Sequence, residues 1–244
     1  MFRSIGFAIA TCLIPVLAIA ESGAPATPAA LLESLPPLPA SLHGAKCEIG
    51  AQMARHAEAI AAEQMNSYMQ AAISPSHSPR AVSDAQGDAL SQLTDAGITQ
   101  CIMDVSTQRE SIVDPGKQRL QDEANRLQEE MIKADEACGS GIGMNVSCHN
   151  RVVRDYKNKM ISTAEKTLRD LRAPFGEWQK KTKACLGQRE TAVSAVLKSG
   201  MQGPFATQAL AMRAQSYSLP QLLGTSYTEL CEAAVTTGHS LDNQ

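Results

Sequence analysis

The stretch L-Q-D-E-A-N-R-L-Q-E-E-M-I-K-A-D-E-A-C-G-S-G-I-G-M-N-V-S-C-H-N, residues 120–150, decides how this chain folds. Its first part places Leu120, Ala124, Leu127, Met131, Ala134 and Cys138 at alternating steps of four and three. That spacing is the apolar seam of a helix packed against a second helix. Three glycines follow, and then Val153, Tyr156, Met160, Ala164, Leu168 and Leu171 repeat the pattern. Two long helices joined by a short glycine turn pack antiparallel.

The turn itself admits three chemical readings. A phosphate-binding glycine loop follows a strand, whereas G-S-G-I-G here follows the helical K-A-D-E-A-C, and no G-K-[ST] comes after it. A structural zinc site pairs its cysteines two to four residues apart. Cys138 and Cys148 stand farther apart, with His149 and Asp135 or Glu136 nearby. A disulfide fits best, because two helices meeting at a shared end bring such residues to the required Cα separation of about 4.4–6.8 Å. Gly139 or Gly141 then supplies the left-handed residue that ends the first helix.

The same periodicity extends outward in both directions. A helix is expected over 46–72 on Ile49, Met53, Ala57, Ile60 and Tyr68, and another over 84–113 on Leu90, Leu93, Cys101 and Val105. Asp114-Pro115 reads as a cap followed by a first-turn proline, and Ala173-Pro174 as a second break. Phe175, Trp178, Thr182, Cys185, Arg189, Val193 and Val196 make a further seam, and shorter helices are expected over 205–215 and 219–235. No segment alternates long enough to build a sheet. The expected fold is all-α, an elongated antiparallel helical bundle of hairpins cross-linked by about three disulfides.

The N-terminus carries one charge at Arg3, an apolar run from Ile5 to Leu17, and Ala18-Ile19-Ala20. This is the pattern of a secretory signal peptide, with cleavage expected between Ala20 and Glu21. The run is too short and too broken by Pro15 for a membrane span, and Cys12 lies too early for a typical lipoprotein leader. Residues 21–45, rich in Pro and Ala, read as a disordered leader, 46–238 as a single disulfide-linked helical domain, and 239–244 as a loose tail. The expected location is the periplasm or the exterior.

Six cysteines remain beyond the leader, an even number that in an oxidising compartment points to disulfides. With Cys138–Cys148 paired, antiparallel packing of the first two helices favours Cys47–Cys101 and Cys185–Cys231.

Charge is distributed unevenly. Between Arg151 and Arg189 eleven basic residues face four acids, while residues 114–136 hold seven acids and four bases. The first group nominates a partner-binding basic patch of Arg169, Arg172, Lys180, Lys181, Lys183 and Arg189, suited to an acidic protein or an anionic surface. The overall charge of −3 and the single Trp178 argue against nucleic acid as partner. The tripeptide Q-R-E occurs at 108–110 after Cys101 and again at 188–190 after Cys185. Asn145-Val146-Ser147 is a glycosylation sequon.

No catalytic motif such as G-x-S-x-G is present, and no cofactor or metal is expected. The spacing Cys148…Tyr156…Trp178…Cys185 resembles the small cysteine-paired helical module of some bacterial lysozyme inhibitors, over about forty residues. That resemblance implies an inhibitor function; the arginine-containing ending of the module is replaced here by Lys180, Lys181 and Lys183. The expected function is a non-enzymatic macromolecule-binding or secretion-accessory protein of the envelope. The alternatives are an inhibitor or immunity-type protein against an envelope enzyme, an envelope hydrolase, and a structural protein self-associating through the 120–138 seam.

Overall fold

A computed structural model describes residues 26–73 and 82–241. The described residues form seven α-helices and no strand: α1 (Pro28–Glu33), α2 (Glu48–Ile73), α3 (Asp84–Leu93), α4 (Ala96–Glu136), α5 (Val146–Lys198), α6 (Pro204–Ser216) and α7 (Ser218–Gly238), with one 3-10 turn at Gly141–Gly143. The fold is the all-α, disulfide-linked bundle that the periodicity predicts. The signal-peptide segment and its Ala20–Glu21 junction lie outside the described residues.

The backbone of the molecule is the α4–α5 hairpin. Leu120, Leu127 and Met131 of the α4 seam and Met160, Ala164 and Leu168 of α5 are all buried. The seam is therefore packed within the chain. Around this hairpin the main core gathers Val105, Val113, Phe175, Trp178, Leu223 and Leu230. The Trp178 indole N–H, sealed in that core, donates to the Val105 carbonyl at 2.7 Å, so its one polar atom is satisfied. Phe175 meets the Trp178 ring edge-on with centroids 5.5 Å apart.

Both expected proline breaks are absent. α4 passes through Pro115 and α5 through Pro174. Each proline removes one helical N–H and strains the preceding turn, at a cost of about 3 kcal/mol. Burial outweighs that cost: Val113 and Leu120 flank the first proline, and Phe175 and Trp178 follow the second. Asp114, expected to cap a new helix, instead pairs with Arg109 at 3.2 Å. The break in the expected 84–113 helix falls at Thr94-Asp95, where the Asp95 carboxylate accepts from Gly97 N–H (2.6 Å) and Ile98 N–H (3.3 Å).

The leader expected to be disordered is part of the core from residue 26 onward. Leu31, Leu32, Leu35, Leu38 and Leu42 are buried. The Gln179 amide donates to the Leu32 (2.7 Å) and Leu35 (2.9 Å) carbonyls, and the Tyr217 hydroxyl to the Ala26 carbonyl (2.9 Å). Prolines shape this segment without unfolding it, because its leucines recur every three or four residues. At the other end Leu241 is buried against Leu127, Met131 and Met160, so the tail is not loose there; residues 242–244 lie outside the described residues.

The disulfides are Cys47–Cys231, Cys101–Cys185 and Cys138–Cys148, with Cα separations of 5.3, 5.7 and 5.6 Å. The hairpin staple is as expected; Cys47–Cys101 and Cys185–Cys231 are not. Those pairings assumed that α2 lies antiparallel to the helix bearing Cys101. α2 instead pairs with α7, and the Cys101 helix pairs with α5.

α2 and α7 cross at Gly50 and Gly224, whose backbones approach so closely that a Cβ on either would collide with the carbonyl of the other. Alanine at a helix glycine ordinarily stabilises by about 0.5–1 kcal/mol. Here Gly50→Ala and Gly224→Ala are expected to destabilise by about 1–3 kcal/mol through overpacking. Gly87→Ala in α3, where a Cβ meets open space, is expected to be neutral or stabilising. Urea unfolding of the three variants checks this. The Tyr217 phenol is pushed up to about 12 by burial. Its folded pKa lies above the unfolded value, so its contribution is full below about pH 10 and falls from there towards about 12. Tyr217→Phe is expected to cost about 1 kcal/mol at pH 8, with the gap narrowing across that window in paired urea titrations.

Candidate functional site

The six residues of the basic patch do not all lie on one face of α5. At about 100° per residue, Arg169, Arg172, Lys180 and Lys183 share one face of α5, Lys181 lies opposite Arg172, and Arg189 points to a third side. Three of the six have structural tasks. Arg169 donates to the Ala40 carbonyl at 3.3 Å and lies 3.7 Å from Glu165. Lys183 pairs with Glu33 of α1. Arg189 is partly buried, which lowers its pKa, and donates to Gln215 Oε1 at 3.4 Å. Arg172, Lys180 and Lys181 remain exposed with no ion pair among the described residues.

The repeated Q-R-E segments also fasten helices. Arg109 reaches Glu229 of α7 at 2.8 Å, and Glu190 holds Arg213 of α6 at 2.6 Å. Their neighbouring cysteines, Cys101 and Cys185, are bonded to each other.

The hairpin tip is built differently. Gly139 ends the α4 segment with φ +91°, a conformation that favours glycine, and Asn145 N–H donates to the Cys138 carbonyl at 2.9 Å to close the turn. The Asn145 side chain caps α5 by accepting from Cys148 N–H at 3.1 Å. One turn below the staple, His149 Nδ1 lies 2.7 Å from Asp135 Oδ1, a second tie between the helices. The two sulfurs bond to each other and so offer no thiolate to a metal. Among the described residues no group of three His, Cys, Asp or Glu side chains converges.

Below this turn the hairpin holds an open cleft of about 820 Å³. Met131, Ile132 and Val153 form its apolar floor, with Asp135 and Glu136 on the α4 wall and Arg154 and Lys157 on the α5 wall. Ile132 and Met144, which line it, expose 48 and 38% of their surface, and Val146 at the start of α5 exposes 60%. The sequence does contain a signal for this site: Ile132 is apolar but stands off the α4 seam, where a helix facing water carries polar residues.

The chain matches no protein-family model, no curated protein and no solved structure. The stretch resembling the inhibitor module is one arm of the hairpin, its cysteines Cys148 and Cys185 bonded to Cys138 just past α4 and to Cys101 of α4, not to each other. No helix among the described residues is long and apolar enough to cross a membrane.

The staple closes a loop of ten residues' separation, worth about 2.7 kcal/mol on the loop-entropy model. In the Cys138→Ser/Cys148→Ser double variant, amide exchange over residues 133–150 is expected to accelerate by up to about 100-fold. Exchange around Leu223 and Leu230, in the core, stays within a few-fold of wild type.

Proposed function

We propose that this chain is an exported, non-enzymatic protein that binds another macromolecule through the tip of the α4–α5 hairpin. The observation that carries the reading is exposed apolar surface at the hairpin tip, Ile132 and Met144 lining a cleft and Val146 opening α5, held by a disulfide and an Asp135–His149 contact. Exposed apolar side chains on a rigid element are the ordinary makings of an interaction site. Three disulfides suit an oxidising compartment, and residues 1–20 supply a matching export signal. An inhibitor or immunity-type role is one form of the same activity.

The exposed Arg172, Lys180 and Lys181 favour a second reading, contact with an anionic surface. Affinity capture from the native envelope separates the two. Ile132→Glu/Val146→Glu is expected to lose at least about 90% of the specifically captured partner, while Lys180→Glu/Lys181→Glu retains it. The reverse result moves the site to the basic residues.

A further inference from the structure

The outermost turn of the hairpin carries no charge. From Ala137 to Cys148 twelve residues pass without an Asp, Glu, Lys or Arg, where the chain's 19% charged content would supply about two. α7 lies against both arms lower down, with Ala234 on Leu120, Ala164 and Leu168, and ends at Gly238. The turn stands beyond that packing: residues 139–141 and 143–147 are all exposed. Met144 and Val146 show 38 and 60% of their surface there, where a turn facing only water carries polar residues. The turn also satisfies much of its own backbone. Cys138 and Gly139 N–H donate back to the Asp135 (2.8 Å) and Glu136 (3.2 Å) carbonyls, and Gly143 and Met144 N–H to those of Ser140 (3.3 Å) and Gly141 (3.2 Å). Backbone groups closed in this way lower the cost of leaving bulk water. Behind the turn, within about two helical turns of the staple, Lys133, Glu136 and Arg151 are exposed with no partner among the described residues. Asp135 is held by His149, and Arg154 lies 3.8 Å from Asp155. Two unpaired bases against one unpaired acid leave a mildly positive collar.

Resting on the reading of the tip as the molecule's contact end, we infer that its apex also docks on a lipid bilayer. Met144 and Val146 enter the boundary between headgroups and acyl chains, about 5–10 Å deep, and Lys133 and Arg151 reach headgroup phosphates. The long stems of the two bases keep their charged ends at the headgroups while the turn goes deeper. A protein partner fits the apex itself poorly. A stable protein interface covers about 800 Å² on each side, whereas the apex offers two partly exposed apolar side chains among glycines and serines. A fluid lipid surface needs no matching shape. The Cys138–Cys148 staple holds the turn in its closed form beforehand, so docking does not have to order a loop. The anchor is weak by construction. Two apolar side chains and two bases give an association constant no higher than the roughly 10⁴ M⁻¹ of a single acyl chain. Contact is therefore reversible, and anionic lipid strengthens it.

The test uses the full chain with its disulfides intact, and vesicles of phosphatidylcholine alone or with about 30% phosphatidylglycerol, up to about 5 mM lipid. Wild type is expected to sediment with both, several-fold more strongly with the anionic lipid. Met144→Asp/Val146→Asp, at two exposed positions, is expected to weaken binding by at least about tenfold. The matched change Met103→Asp, at an exposed methionine near the other end of α4, does not. Lys133→Gln/Arg151→Gln removes the preference for anionic lipid and leaves binding to neutral vesicles within about twofold. Met144→Trp reports depth: Trp178 is fully buried, so quenching by lipids brominated on their acyl chains comes from position 144. Binding retained by Met144→Asp/Val146→Asp overturns the inference, as does a Met144→Trp signal left unquenched on vesicles that sediment the chain. If neither vesicle sediments wild type while Ile132→Glu/Val146→Glu still loses the captured macromolecule, the lipid inference falls and tip binding stands. If the vesicles bind as expected and that variant loses no captured macromolecule, lipid is the partner of the tip and the macromolecule reading falls.

Discussion

The register between α4 and α5 is the constraint from which the rest follows, and two disulfides set it. Cys101–Cys185 and Cys138–Cys148 span 84 and 10 residues, so the difference of 74 divides into 37 residues on each arm. Equal arms mean that both bridges can close in a single antiparallel alignment, about 55 Å apart along straight helices. Any slip would strand one pair beyond disulfide reach. With the arms fixed, the valley between them is fixed too, and α7 takes its position from that valley. α2 is placed in turn by the Gly50–Gly224 crossing and the Cys47–Cys231 bridge.

The same hairpin explains what sequence could and could not reveal. Residues 120–171 are legible because a seam with steps of three and four on both sides of a glycine turn has one simple solution. Pro115 and Pro174 misled because local rules price a helical proline without the tertiary burial of Val113, Phe175 and Trp178 that offsets it. The two remaining disulfides were misassigned from neighbouring helices; equal spacing within Cys101…Cys138 and Cys148…Cys185 is the signal that identifies one of them. Residues 26–45 show that proline-rich composition does not imply disorder when leucines keep a period and distant side chains such as Gln179 and Tyr217 bind the backbone.

The candidate site was less legible than the fold. A charge count selected basic residues on α5, but only four of the six share a face of the helix, and Lys183, Arg169 and Arg189 serve α1, the 26–45 segment and α6. The tip depends on which apolar residues are left uncovered, and that is a property of where α7 ends. Nothing within 120–150 alone states that a third helix lies in the groove and stops short of the turn.

The outermost disulfide gives the molecule an unusual mechanical property. The three bridges are nested, each inside the next, and Cys47–Cys231 encloses nearly every helix from α2 onward. A pull applied at the two ends of the chain would pass from residue 47 to residue 231 through one covalent link. Only the segments outside it would extend; the hairpin and its tip would carry no load.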